Sequence, residues 1–343
     1  MNLMSAEFSQ GVLMNEQIRT PLLVAEGISK DFRIGHKETL HAVSDVSLTL
    51  YKGETVALVG ESGCGKSTLA RMMIGLLRPT AGTVRFEGMD ITDMATRRSG
   101  PLRRRMQMVF QDPYASLDPR MTVRDIIAEP LSTWHICRTR KETTDRVMLL
   151  MDKVGLPEEF LYRYPHQFSG GQRQRIGIAR AIALDPDLLV CDEPVSALDV
   201  SVQSQVLNLL KKLGAELHLT NLFIGHDLSV IHFIADRVCV MYLGQICEIA
   251  CKDELYAHPA HPYTRFLLDS IPAADPHRRN EQKILIEGEL PSPVDPPSGC
   301  RFRTRCPYAR KECGLETPQL QDMGSGHLTA CRRVYENRGL FAS

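Results

Sequence analysis

The segment richest in chemistry is GESGCGKST, from Gly60 to Thr68. It fits the spacing G-x-x-x-x-G-K-S/T, in which glycines let several backbone N–H groups converge on phosphate oxygens. Lys66 is placed to reach the terminal phosphates and the Ser67 hydroxyl to ligate Mg²⁺, with Gly60, Ser62, Gly63, Cys64, Gly65 and Thr68 completing the cradle. A helix beginning here would offer its positive end to the same anion. A second run, DLLVCDEP, ends an apolar stretch in two carboxylates, Asp192 and Glu193. A strand aimed at the phosphates would bring Asp192 near the metal. Glu193, at the strand end where the chain turns, could take a proton from a water attacking the γ-phosphate. Without the phosphate loop, the same pair would read as two surface carboxylates after a strand.

Ser169, Gly170 and Gly171, followed by Gln172, open a run of helical spacing. A serine and two glycines there would form a further anion site from backbone N–H groups and a helix N-terminus; alone, SGG is also a common flexible turn. The ten cysteines fall into two groups. Cys64, Cys137, Cys191, Cys239, Cys247 and Cys251 are scattered and read as free thiols of a reducing compartment, several of them in the core. Cys300, Cys306, Cys313 and Cys331 cluster near the C-terminus, with five, six and seventeen residues between them. That spacing lacks the paired C-x-x-C knuckles of structural zinc sites. Four thiolates can hold a 4Fe–4S cluster; zinc, and free thiols or disulfides, stay open as alternatives.

The elements that must position these residues are legible as apolar runs. TVALVG, Thr55 to Gly60, reads as a buried strand that delivers the chain into the glycine-rich loop. Leu69, Met72, Met73 and Leu76 then recur at helical spacing until Pro79 stops the pattern. LLVCD (Leu188 to Asp192), NLFIG (Asn221 to Gly225) and RVCVMYLG (Arg237 to Gly244) are further buried-strand runs. Alternating with helices, they imply an α/β fold around a mostly parallel sheet covered on both faces. Short β-prone runs separated by polar turns fill Leu22 to Leu50, and residues 112–175 read as mainly helical and polar with proline breaks. Residues 1–20 show no periodicity and read as a loose tail. After Pro259 the prolines multiply, which sets off a C-terminal extension, 259–343.

Composition narrows the function classes. In 343 residues, 41 basic side chains balance 41 acidic ones, so no net basic field points to nucleic acid. The short run Arg103–Arg105 reads as a solvated helix face. The most apolar stretch, Leu222 to Ala250, is interrupted by His226, Asp227, Asp236 and Arg237, so no membrane span is expected. Glu7 and the lack of a basic start before an apolar block argue against a signal peptide. The expectation is a cytoplasmic protein whose membrane role, if any, comes through partners.

One motif gives these pieces a common frame. FSGGQRQRIGIARAI, from Phe168, resembles the signature sequence of ABC ATPases, and the family's other elements occur in order. Gln111 in VFQDP matches the Q-loop, SALD (Ser196 to Asp199) the D-loop, and His226 in GHD the switch histidine. Phe32 in ISKDF is chosen as the aromatic that stacks on adenine, although a buried core phenylalanine fits as well; Tyr51 lies too close to the phosphate loop. The resemblance covers about residues 22–258. It implies a P-loop ABC ATPase with a RecA-like parallel-sheet core, an antiparallel β edge, a helical subdomain over about 112–175 and a small Cys-rich extension. It implies ATP and Mg²⁺ as cofactors, with Ser67, Gln111 and Asp192 near the metal and Glu193, His226 and Gln111 in catalysis. Two such domains would face head to tail, ATP lying between the Gly60 loop of one and Ser169 to Gln172 of the other, with Asp199 at the junction.

The tail narrows the resemblance. GELPSPVDPPSGCRFRTRCPYARKEC, then LTACRR, with HPYTRFLLDSIP before them, is similar to the C-terminal extension of oligopeptide/dipeptide importer ATPases, most of all to the second, F-type subunit. That resemblance favours the 4Fe–4S cluster and implies a second homologous ATPase subunit, two transmembrane permease subunits and an extracytoplasmic substrate-binding protein. The chain would then sit on the cytoplasmic face of the inner membrane. Nickel and glutathione importers belong to the same broad group. A soluble, non-transport ABC ATPase is the reading of another class, although such proteins usually carry two ATPase domains or a long insertion.

Overall fold

The computed structural model describes residues 20–35, 38–96, 100–271 and 289–337. The expected N-terminal tail lies outside them but for residue 20. Two sheets organise the chain. β1 (Pro21–Ile34) and β2 (Glu38–Tyr51) pair antiparallel, and β4 (Ala81–Phe86) and β5 (Met89–Asp90) complete a four-stranded sheet in the order β2-β1-β4-β5. Toward the end of β2, Val46, Leu48 and Leu50 are buried and alternate with more exposed neighbours, the period-two signature of a strand with one face on the core.

The second sheet has eight strands in the order β11-β12-β10-β9-β3-β8-β7-β6. Its centre is parallel: β3 (Thr55–Val59) lies between β8 (Thr220–Gly225) and β9 (Arg237–Tyr242), and β7 (Leu188–Asp192) joins β8 to β6 (Met106–Val109). β7 is buried at every residue because both its faces are covered, which is why the run reads as continuous Leu, Val and Cys rather than alternating. The expected run Arg237–Gly244 ends in a turn at Leu243 and Gly244, both at positive φ, and the chain returns antiparallel as β10 (Gln245–Cys251).

Helices fix the rest. α1 (Lys66–Met73) follows the phosphate-type loop directly. It is shorter than its apolar pattern suggests: Gly75, at φ 64, turns the chain away, and Leu76 is left 45% exposed. α3 (Val123–Thr133), α4 (Arg140–Lys153) and α5 (Gly170–Ile182) pack together as a helical layer. Thr122, Thr139 and Ser169 cap them, each side-chain oxygen accepting a backbone N–H of the first turn. α6 (Val200–Glu216) runs from the strand that ends in Asp192 and leads into β8.

The C-terminal extension folds onto the main sheet. β12 (Leu328–Thr329) pairs with β10, and β11 (Gln321–Asp322) pairs with β12. Phe302 is buried against Tyr242 and Tyr263, with ring centroids 5.2 and 5.3 Å away. Glu248, wholly buried on β10, ties three segments together. Its carboxylate accepts the Ala260 and His261 N–H groups at 2.7 and 2.8 Å and meets His327 Nε2 at 2.6 Å.

Candidate functional site

β3 ends at Val59 and the loop from Gly60 to Gly65 carries the chain into α1. Two of its glycines answer to tight surroundings. A Cβ on Gly60 would lie 2.1 Å from the Met241 carbonyl oxygen, and one on Gly65 would lie 2.2 Å from that of Ala42. Lys66 is buried at the helix start, where its Nζ donates to the carbonyl oxygens of Gly60 and Glu61 at 2.8 and 2.9 Å. The ammonium is thus held over the loop. Ser62 and Gly63 are exposed at the loop's outer turn and Thr68 is half-buried on α1. Cys64 departs from the cradle: its thiol is buried in the core and burial pushes it above the ordinary thiol range, so only its backbone can face a ligand.

The parallel pairing of β3, β8 and β7 brings the acid pair alongside this loop. Ser67 Oγ donates to Asp192 Oδ1 at 2.8 Å, which sets a hydroxyl and a carboxylate side by side, an oxygen pair suited to a hard cation. Burial raises Asp192 above the usual carboxylate range, opposed by the Ser67 hydrogen bond and by the charges of Arg71 and Lys66. A bound cation would reverse that balance. Glu193 follows at φ 45, a left-handed conformation rare for a side-chain-bearing residue and worth of order 1–3 kcal/mol of strain. The turn swings its carboxylate out of the strand's alternation and toward Gln111 and His226. Gln111 Nε2 donates to Glu193 Oε2 at 2.9 Å; His226 Nδ1 stands 3.6 Å from the same oxygen, beyond hydrogen-bond reach. Gln111 leaves the end of β6 and His226 the end of β8, so three neighbouring strand ends supply one cluster.

The remaining sequence-predicted residues lie on other elements. Ser169 caps α5, and its N–H donates to Gln172 Oε1 at 3.0 Å, a reciprocal capping box. Gly171 has a packing reason for being glycine: a Cβ there would meet Val202 Cγ1 at 2.2 Å, and one on Gly170 would meet Leu198 at 3.0 Å. Asp199 precedes α6 and is exposed, beside Val200 at 79% exposure. Phe32 is 37% exposed on β1, so it is not the buried core residue that the sequence also allowed.

Cys300, Cys306, Cys313 and Cys331 line one cavity of about 320 Å³ together with Phe302 and Arg303. Burial pushes Cys306 up to about 12 and Cys331 up to about 11, and raises Cys300. Among the described residues, no three His, Cys, Asp or Glu side chains converge closely enough to hold a metal ion. The four thiols therefore share a cavity without forming a converged ligand set. Of the three arginines between Cys300 and Cys306, Arg303 faces the cavity, while Arg301 donates to the Leu243 carbonyl and Ser44, and Arg305 to Glu61. Sequence reasoning missed Glu61, Tyr263 and Glu248; the partners that tie them to the extension lie 12 to 244 positions away, and no local pattern marks them.

Comparison with known proteins places this geometry in a class. Residues 43–196 match the family model described as ABC transporter, and residues 247–313 the one described as oligopeptide/dipeptide transporter, C-terminal region. The dimeric ATP-binding cassette MJ0796, in a post-hydrolysis state bound to ADP and Pi, superimposes with TM-score 0.61 at 29% identity, covering 67% of this chain and 99% of that one. CbiO1 from Clostridium perfringens, part of the ABC transporter complex cbiONQ, does so with TM-score 0.62 at 27% identity over 70% and 92%. The fold is that of an ABC ATPase. Among full-length relatives, the putative oligopeptide transport ATP-binding protein YkfD of Bacillus subtilis is 52% identical over 93% of this chain and 97% of its own. The oligopeptide transport ATP-binding protein OppF of Salmonella typhimurium is 54% identical over 87% and 89%. The chain belongs to the oligopeptide-transport branch of ABC transporter ATP-binding proteins. Among the described residues, no helix is long and apolar enough to cross a membrane.

Proposed function

We propose that this chain hydrolyses ATP to power import of di- and oligopeptides. The observation that carries the reading is the joint presence of the Ser67–Asp192 and Gln111–Glu193 pairs beside the Gly60 loop and an extension that matches the oligopeptide/dipeptide transporter region. Nickel or glutathione import is the alternative within the same group. In this reading the Gly60 loop and Lys66 hold the phosphates, Ser67 and Asp192 hold Mg²⁺ with Gln111 near it, and Phe32 stacks on adenine. Glu193 draws a proton from the attacking water, Gln111 orients that carboxylate, and Gln111 and His226 sense the γ-phosphate. When bound, Mg²⁺ held by Ser67 and Asp192 would supply charge neutralisation to the phosphates.

The site is completed by a second ATPase chain, a related subunit of a heterodimer, whose Ser169-to-Gln172 helix start meets the phosphates. The exposed Asp199 and Val200 beside that helix support an interface there. A groove of about 800 Å³ between sheet and helical layer, lined by Leu76, Phe110, Gln111, Trp134 and Arg180, suits the docking of a permease segment. Two permeases and an extracytoplasmic binding protein would complete the transporter and hold this chain at the cytoplasmic face of the membrane. Reconstituted with those partners, ATPase activity should rise when peptide-loaded binding protein is added. Stimulation by nickel or glutathione, and none by peptides, would reassign the cargo.

The four-cysteine cavity is proposed to hold a 4Fe–4S cluster through Cys300, Cys306, Cys313 and Cys331. A single zinc at about 2.3 Å from each sulfur needs all four thiolates drawn to one point; a cavity bordered by four separate thiols suits a larger group. Its role would be to constrain a proline-rich segment that lacks its own core. Protein purified without oxygen should contain about four irons per chain; stoichiometric zinc with no iron would decide for zinc.

A further inference from the structure

The phosphate loop is gripped from outside the cassette. Glu61, the second residue of the loop, has three of its groups engaged. Its carbonyl oxygen accepts from Lys66 Nζ at 2.9 Å. Its N–H donates to the Tyr263 hydroxyl at 2.9 Å. Its carboxylate takes Arg305 Nη1 on both oxygens at 3.0 Å. Tyr263 and Arg305 both lie C-terminal to the cassette. Tyr263 opens α9 (Pro262–Asp269) and is completely buried, and Arg305 immediately precedes Cys306 on the wall of the four-cysteine cavity. The Arg305 side chain is only 9% exposed and that of Glu61 24%, so the pair is shielded from the water and salt that weaken surface ion pairs.

We propose that Arg305 and Tyr263 are positioning residues for the phosphate loop, acting through Glu61, so that docking of the C-terminal extension sets the geometry in which nucleotide is bound. The inference rests on the nucleotide reading of the Gly60-to-Thr68 loop. Two features separate it from simple anchoring of the tail. The extension already has anchors that avoid the loop, namely the β10–β12 pairing and the His327–Glu248 contact. And the residue gripped is the one whose carbonyl receives the Lys66 ammonium, so displacing Glu61 displaces that acceptor. The linkage continues into the cavity wall: Phe302, between Cys300 and Cys306, packs on Tyr263 and Tyr242, and Arg305 reaches the Tyr242 hydroxyl at 3.5 Å.

The test measures Mg–ATP affinity and thermal midpoint of the full chain side by side. Arg305→Met and Tyr263→Phe should each weaken ATP binding about tenfold, as expected when one hydrogen bond that preorganises the loop is lost. The charge exchange Glu61→Arg with Arg305→Glu should restore affinity to within about threefold of the parent, because the pair and not either side chain fixes the loop. Variants that melt earlier yet bind ATP as the parent does would overturn the proposal and leave the contact as tail anchoring. If Arg305→Met does not fold, Tyr263→Phe and Glu61→Gln, which remove no bulk, decide in its place. Lys66→Ala is the control. If it binds ATP as the parent does, the reading of the loop itself fails; if it loses affinity while the Arg305 and Tyr263 variants do not, only this inference fails.

Discussion

Gly171 separates two reasons for a glycine in the signature helix. Read for anion binding, it clears the way for a phosphate; read for packing, it lets α5 approach α6. The structure makes the second reason quantitative. A Cβ at Gly171 would sit 2.2 Å from Val202 Cγ1, against the roughly 3.5–4.0 Å at which carbon atoms rest, so about 1.3 Å or more must be found by moving one helix or one rotamer. Overpacking of this kind costs about 1–3 kcal/mol. Alanine recovers up to about 1 kcal/mol of helix propensity over glycine. The expected net loss for Gly171→Ala is therefore about 0–2 kcal/mol, measured by denaturant unfolding of the full chain. Val202→Ala removes the obstructing methyl and, being half-buried, should itself cost about 1 kcal/mol or less. The double variant should then be more stable than Gly171→Ala alone, with a coupling of about 1–2 kcal/mol in the cycle. A double variant no more stable than Gly171→Ala would refute the packing account. ATPase activity reads the other reason independently: stability restored without activity means that the glycine also serves the nucleotide.

Three further outcomes follow from the same geometry. Glu193→Gln should keep ATP binding, since the amide can still accept from Gln111, while hydrolysis falls by about 10²–10⁴ for want of a base; turnover at the parent rate would remove Glu193 from that role. Lys66→Ala should weaken ATP binding by about 1.5–3 kcal/mol, the worth of a hydrogen bond to a charged group, as read by calorimetric titration. His261, buried and held down to about 4, stays neutral in the fold while the unfolded chain protonates near 6.5. Stability should thus be lost as pH falls from about 6.5 toward about 4, by up to about 3 kcal/mol, and His261→Asn should flatten this acid limb in unfolding measured from about pH 7 to about pH 4. His327 acts in the opposite sense. Burial opposes its charge but the Glu248 contact prevails and raises it, so its contribution is present at low pH and lost as pH rises through the raised value.

What could be read from the sequence was what repeats locally or ends in a strand. The phosphate loop sits between an apolar run and a helix, and Asp192 and Glu193 end a five-residue buried strand; each carries its context within a dozen residues. Period alone overran at Leu76, where a helix-compatible residue follows a glycine at positive φ that has already ended the helix. The second hairpin strand, β10, was hidden because apolar residues resume at Ile246, with only Gln245 after the turn at Leu243 and Gly244. Cys64 shows the limit of motif reasoning most plainly. The motif places it among phosphate ligands, yet the same loop turns its side chain into the core. The Arg305–Glu61 and Glu248–His327 pairs depend on separations of 244 and 79 residues, which no periodicity encodes.

The extension's place at one edge of the main sheet has a physical consequence for how it can be studied. β10 would be an edge strand without it, and an edge presents unpaired N–H and C=O groups to any other strand. Here Ile246, Cys247 and Ile249 are buried, β12 pairs with β10, and the new edge is the two-residue β11, whose Gln321 and Asp322 are exposed and polar. Glu248 depends on the same segment, since removing His327 would leave a carboxylate buried on β10 without its ionic partner, at a cost of about 3–5 kcal/mol. A chain cut before the extension would thus expose an apolar edge and orphan a buried charge at once. Its loss of ATP binding would report unfolding or association and would say nothing of the phosphate loop. Substitutions at Arg305, Tyr263 and Glu61 leave the β10–β12 pairing and the Glu248 contacts in place, and so isolate the one connection between extension and loop that a truncation would confound.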